Sequence, residues 1–273
     1  MIRSHRWPAF ARWFARACER RLHAAFHEGW LAGLEHLREA AAAGPVLIVA
    51  NHHAWWDAVV ALWLSQRVLA LEAFALMESA QLQRLRFFGL VGGFGVDRSA
   101  PRDGALALRY ATTLLDRPGR VLWLFPEGAI VSSRAPLRFE PGAAAIAARV
   151  PALQVVPLGL RYEPGDHERP SLWLCCGPPL RPDADVATAT AQLQQAVAAC
   201  LDDIDGRTLA FTRSFGGEAR PGLATRLLDR FAGWIIARFG SRLQAAIAAQ
   251  PQAVLGPAEL SDHRRAGPRG EQQ

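Results

Sequence analysis

The sequence predicts an α/β fold, a central mixed sheet flanked by helices. Three observations lead there. The apolar runs Val46–Ala50, Val121–Phe125 and Leu153–Leu160 have strand length and are too short for core helices. Segments with apolar residues at helical spacing lie between them, as in Asp103–Leu115. Asp57 and Glu127 stand just past the ends of two runs, where open α/β sheets gather their ligands.

The elements follow in chain order. Residues 1–40 read as about two amphipathic helices. Trp7, Phe10, Trp13, Phe14, Leu22 and Phe26 anchor them, among Arg3, Arg6, Arg12, Arg16, Arg20 and Arg21. Such helices can lie in a bilayer interface or pack on the domain with their arginines in water. The many tryptophans and few acids favour the interface. The break Gly44-Pro45 opens the strand Val46–Ala50. A helix over Asp57–Ala70, a strand over Leu71–Met77, a short helix over Ser79–Gly89 and a strand over Phe94–Val96 come next. Pro118-Gly119 ends the helix Asp103–Leu115. Val121–Phe125 is the clearest core strand, followed by a helix of alanines over Gly142–Val150. The strands Leu153–Leu160 and Leu172–Cys176 precede a helix over Thr188–Leu201.

Past the core, Gly222–Ala249 reads as a basic amphipathic helix and the Pro-, Gly- and Gln-rich tail from Pro251 as disordered. The expected organisation is therefore N-terminal interface helices over 1–40, a catalytic domain over 41–215, an amphipathic helix over 216–250 and a tail over 251–273.

Composition bounds the chemistry. All 31 basic residues are arginine, which excludes a Walker phosphate loop, a Schiff base or a pyridoxal site built on lysine. The net charge of +6 suits anionic partners such as phosphate headgroups or coenzyme A. No nucleic-acid reading motif accompanies it, so no nucleic-acid partner is expected. Cys18, Cys175, Cys176 and Cys200 lack metal or disulfide spacing and read as buried thiols. The remaining histidines form no ligand cluster, so no metal and no resident cofactor is expected. No apolar run is long enough to cross a bilayer.

Asn51-His52-His53-Ala54-Trp55-Trp56-Asp57 is the most informative stretch. It puts a histidine and a carboxylate at a strand's end, a general base with a group to orient it. On a continuous helix, residues five apart are about 140° out of phase, so His53 and not His52 would share a face with Asp57. If His52 instead lies in a turn before the helix, it can fold back toward Asp57. Spacing leaves both open. Glu127, in Phe125-Pro126-Glu127-Gly128, adds a second carboxylate. No Gly-x-Ser-x-Gly elbow is present, so direct transfer is expected over an acyl-enzyme.

Asn-His-x-x-x-x-Asp after a strand resembles the first motif of the glycerolipid acyltransferase family, the lysophosphatidic acid acyltransferase or PlsC-type group. Ala54 stands where that family usually has serine. Gly92–Arg98 resembles the second motif, with Gly95 in place of its aromatic. Phe125–Gly128 matches the third, although Ala129-Ile130 follows instead of Thr-Arg or Ser-Arg. Phe139-Glu140-Pro141-Gly142 resembles the next segment, with an acid where lysine is common, and Val155–Gly159 matches the fourth motif. The likeness covers about residues 40–180.

The resemblance implies a glycerol-3-phosphate acyltransferase-like fold. It implies His52 as base, Asp57 as its orienting acid, Arg98 as a phosphate ligand, and Glu127 with Gly128 at the acceptor. From the chemistry of the residues themselves, Glu127 is expected to bind an acceptor hydroxyl or to pair with Arg98, and backbone amides near Gly128 or the helix start to serve the oxyanion. The donor would be acyl-CoA or acyl carrier protein. The default acceptor is 1-acyl-sn-glycerol 3-phosphate or another lysophospholipid, in phospholipid biosynthesis. A glycolipid or glycosylated terpenoid is the variant, and a non-catalytic peripheral lipid-binding protein the competitor from another class. The expected place is the cytoplasmic face of the inner membrane, bound peripherally.

Overall fold

The computed structural model describes residues 1–216. The expected helix over 222–249 and the tail from Pro251 lie outside the described residues.

The strands are β1 (Glu28–Ala32), β2 (Val46–Ala50), β3 (Glu72–Glu78), β4 (Gly93–Val96), β5 (Arg120–Leu124), β6 (Gln154–Glu163), β7 (Ser171–Cys176) and β8 (Thr212–Gly216). They form one eight-stranded sheet in the order β4-β3-β5-β2-β6-β7-β1-β8. β4, β3, β5, β2 and β6 run parallel, each to its neighbour. β6 and β7 pair antiparallel, β7 and β1 parallel, and β1 and β8 antiparallel, so the sheet is mixed. The α/β expectation holds.

The central strands are apolar throughout because both faces are covered. Val46, Ile48 and Ala50 of β2, with Val121 and Trp123 of β5, face a core shared with α1 (Pro8–Ala25), α2 (Leu34–Ala43) and α3 (Asp57–Trp63). Leu47 and Val49, with Leu122 and Leu124, face a second core. That one is shared with α6 (Pro101–Leu114), α7 (Gly142–Ala147) and α8 (Val186–Gly206). The short helices α4 (Ser79–Arg84) and α5 (Phe87–Val91) replace the single helix expected over Ser79–Gly89. A π-helical turn over Leu64–Val68 extends α3. It brings Ser65 Oγ to accept from the buried Trp123 indole N–H at 2.8 Å, which lets a tryptophan occupy the middle of a core strand.

The N-terminal region departs from expectation. The helices-only reading of 1–40 misses β1, a sheet strand between β7 and β8. The domain boundary expected at residue 40 falls inside α2, so these residues build the same body as those after them. Five-residue Glu28–Ala32 has no clean alternation, and its strand character comes from its partners. β8 was likewise not expected. In α1, Ala11, Ala15, Cys18 and Leu22 form a buried stripe against the body. Trp7 and Trp13 remain 58% and 39% exposed. The four cysteines are free and buried, as their spacing suggested.

Candidate active site

The site sits at the carboxyl ends of β2, β5 and β6, where parallel strands deliver their following residues to one edge. Asn51 leaves β2 and is fully buried. Its Oδ1 accepts from the Leu160 amide at 2.8 Å and its Nδ2 donates to the Leu160 carbonyl at 3.1 Å. This amide clamp fixes the start of the loop 51–56 against β6. A buried asparagine satisfied on both ends costs little and orients strongly.

Residues 52–54 are not helical, and Asp57 is the first residue of α3. The helical phase argument for His53 therefore does not apply. His52 folds back, and its Nδ1 lies 2.6 Å from Asp57 Oδ2. The same oxygen accepts from the His53 and Ala54 amides at 2.9 and 3.0 Å. Asp57 Oδ1 accepts from the Tyr162 hydroxyl at 2.5 Å. Asp57 is wholly buried, while the His52 side chain keeps 22% of its surface open. A carboxylate with four donors around it stays oriented. It requires the proton of neutral His52 on Nδ1 and leaves Nε2 as the basic lone pair. The His52 ring stacks on Phe125 at 4.6 Å between centroids, which fixes its plane.

Glu127 approaches from the loop after β5. Its Oε2 accepts from the His52 backbone amide at 2.6 Å. Burial raises its carboxyl above the ordinary glutamate range, against the opposing pull of that amide. Its Oε1 is buried without a partner among the described residues. The expected alternative of an ion pair with Arg98 is not formed. Arg98 Nη1 instead donates to the Gly128 carbonyl at 2.9 Å, and Nη2 lies 3.5 Å from Glu140. Gly128 has φ +69°, and a Cβ there would lie 2.5 Å from Arg98 Nη1. Glycine thus serves both the left-handed turn and the approach of the guanidinium.

The amides expected to serve an oxyanion are otherwise engaged. The Gly128 N–H donates to the Phe125 carbonyl at 3.0 Å, and the Asp57 N–H to the Ala54 carbonyl at 3.2 Å.

The structure thus brings His52, Asp57 and Glu127 together, with Gly128 and Arg98 beside them. Sequence reasoning missed Tyr162 and offered Asn51 only as a residue near the helix cap, whereas its side chain clamps Leu160. Tyr162 lies one residue before the end of the long strand that carries Val155–Gly159, and only its hydrogen bond to Asp57 ties it to the site. Trp56 packs on Phe26 at 5.1 Å, whereas Trp55 is 39% exposed. No cluster of metal-ligating side chains is present among the described residues.

A comparison with curated proteins finds no match. A family model described as Acyltransferase matches residues 31–161. That span runs from within β1 into β6 and holds His52, Asp57, Arg98, Glu127 and Gly128. With this match, on this fold, residues 31–161 form an acyltransferase-family domain.

Proposed function

We propose that the protein moves a fatty acyl chain from the thioester of acyl-CoA or acyl carrier protein to a hydroxyl of a lipid acceptor. The default acceptor is 1-acyl-sn-glycerol 3-phosphate or another lysophospholipid. The observation that carries this reading is the 2.6 Å contact of His52 Nδ1 with a fully buried Asp57. It leaves an accessible Nε2 as base.

The step balances without a cofactor. The acceptor oxygen attacks the thioester carbonyl carbon as His52 Nε2 takes the hydroxyl proton. Asp57 holds the ring and stabilises the imidazolium. The tetrahedral intermediate collapses, the carbon–sulfur bond breaks, and the proton passes to the leaving thiolate. Base catalysis of this kind contributes about 10²–10⁴-fold. Glu127 holds the His52 backbone, and its second carboxyl oxygen faces no protein partner, which suits contact with an acceptor hydroxyl. Arg98 would meet an acceptor phosphate, exchanging its long contact with Glu140 for a charge-assisted one.

That contact with Glu140 also supports a second reading, in which the acceptor carries no phosphate, as a glycolipid or glycosylated terpenoid would. Exposed Trp7 and Trp13 at and near the start of an arginine-rich helix support peripheral membrane binding. Among the described residues no helix is long and apolar enough to cross a membrane.

The test is thioester consumption by purified protein with acyl-CoA and a lipid extract. His52→Ala should lose turnover by about 10²-fold or more while vesicle binding persists. Equal turnover in both proteins would reject the mechanism and favour a lipid-binding protein without catalysis.

A further inference from the structure

Directly beside His52, the second histidine of the loop faces other partners. His53 Nδ1 lies 3.0 Å from Asn51 Nδ2 and 3.4 Å from Arg161 Nη1. Both neighbours can only donate. The Asn51 amide cannot be turned round, because its oxygen is held by the Leu160 N–H and its nitrogen by the Leu160 carbonyl. His53 Nδ1 is therefore an acceptor, and the ring proton sits on Nε2. Burial and the Arg161 charge both hold this ring below the ordinary histidine range, in its neutral form. Its Nε2–H is buried and finds no acceptor among the described residues. A buried donor with nothing to donate to calls for an oxygen from outside the chain.

His53 lines a cavity of about 170 Å³ with Ser133, Leu137, Arg161, Leu201 and Asp202. The volume is roughly six times a water molecule's share of the liquid, so one bridging water does not fill it. The charges decide what does. Arg161 is held in a fork by Asp205, at 3.0 and 2.9 Å, and its charge is matched. Asp202 has no cationic partner among the described residues. An anion entering here would meet an unmatched carboxylate. A neutral group would not, and its oxygens could accept from His53 and Arg161 while its hydroxyls donate to Asp202. Leu137 and Leu201 offer an apolar wall for its C–H face.

We propose that this cavity, back to back with the His52 site on the strand-end loop, binds a neutral polyhydroxylated group of glycerol or sugar size. The group belongs either to a lipid headgroup or to a free sugar. The site stands on the His53 geometry and not on the acyl-transfer reading.

The test uses the full chain without acyl donor. Ligand-observed NMR would follow methyl glucoside, glycerol and glucose 6-phosphate, each titrated to saturation. A parallel arm compares phosphatidylcholine vesicles with and without monoglucosyl diacylglycerol. Saturable binding of a neutral probe is expected, at least about tenfold tighter than glucose 6-phosphate. Loss of about tenfold is expected in His53→Phe and in Ala198→Trp, which fills the cavity from α8. Preference for the glycolipid vesicles over free glucoside would assign a lipid headgroup, and the reverse a free sugar. Asp202→Asn, at an exposed position, supplies a variant whose folding is not at stake, and weakening is expected there too. No saturable neutral binding in either arm, or tighter binding of the phosphorylated probe, overturns the proposal. Because no acyl transfer is read, failure of the catalytic reading leaves this result standing.

Discussion

The Tyr162 hydroxyl donates to Asp57 Oδ1 at 2.5 Å, joining the carboxyl end of strand β6 to the first residue of α3. The acid that orients His52 is thus gripped at both oxygens. Burial and the neighbouring carboxylate push the Tyr162 phenol well above its ordinary range, so it remains a donor at all working pH values. Tyr162→Phe keeps the ring and strips the donor from a fully buried carboxylate. The expected cost is about 1–3 kcal/mol of stability. Turnover should fall about tenfold with little change in KM, since the ground-state contacts of substrate are untouched. Chemical denaturation and steady-state kinetics read the two effects. Unchanged turnover would remove Tyr162 from the positioning set.

Glu127 predicts a pH dependence with a definite sign. Its carboxyl is raised in the folded protein, chiefly by burial. Between the ordinary glutamate range and that raised value, the folded chain holds a proton that the unfolded chain has released. Its contribution to stability is therefore complete at acid pH and is lost as pH rises through the window. Glu127→Gln removes the titration and keeps an oxygen for the His52 amide. The stability of the variant relative to wild type should increase from about pH 4 to pH 7. Denaturant midpoints across that range measure it, and a flat difference would contradict the assignment.

Gly128 and Arg98 form the third case. Gly128→Ala forces a side chain into left-handed backbone, at about 1–2 kcal/mol, and into the guanidinium 2.5 Å away. Arg98 should lose its bond to the Gly128 carbonyl. For an acceptor bearing phosphate, both Gly128→Ala and Arg98→Ala should raise KM about tenfold or more. Tolerance of Arg98→Ala, with activity on a phosphate-free glycolipid, would favour the second acceptor reading.

Membrane binding should be tested at single side chains. Removing residues 1–30 would delete α1 and part of β1, and with them sheet pairing and core. Trp7→Ala and Trp13→Ala leave the buried stripe of α1 intact. Each should weaken binding to anionic vesicles, and rising salt should weaken it further by screening the arginines. Binding that ignores both would place the membrane contact elsewhere.

Much of this protein was written in local pattern. The runs Val46–Ala50 and Val121–Phe125 had to be buried on two faces, because no polar alternation gave them a wet side. The helix starting at Asp57 and the carboxylate at Glu127 followed from the same reading, and so did their common edge of the sheet. β1 and β8 were not legible. Their residues are neutral in propensity, and pairing with distant strands makes them extended. The choice between His52 and His53 also belonged to tertiary structure. The loop 51–56 is clamped by Asn51 to Leu160 before α3 begins, so a helical phase never applied to it. Tyr162 and Asp57 are 105 positions apart. A hydrogen bond over that separation leaves no periodic trace in a sequence, and only the fold, which carries the end of β6 to the start of α3, could create it.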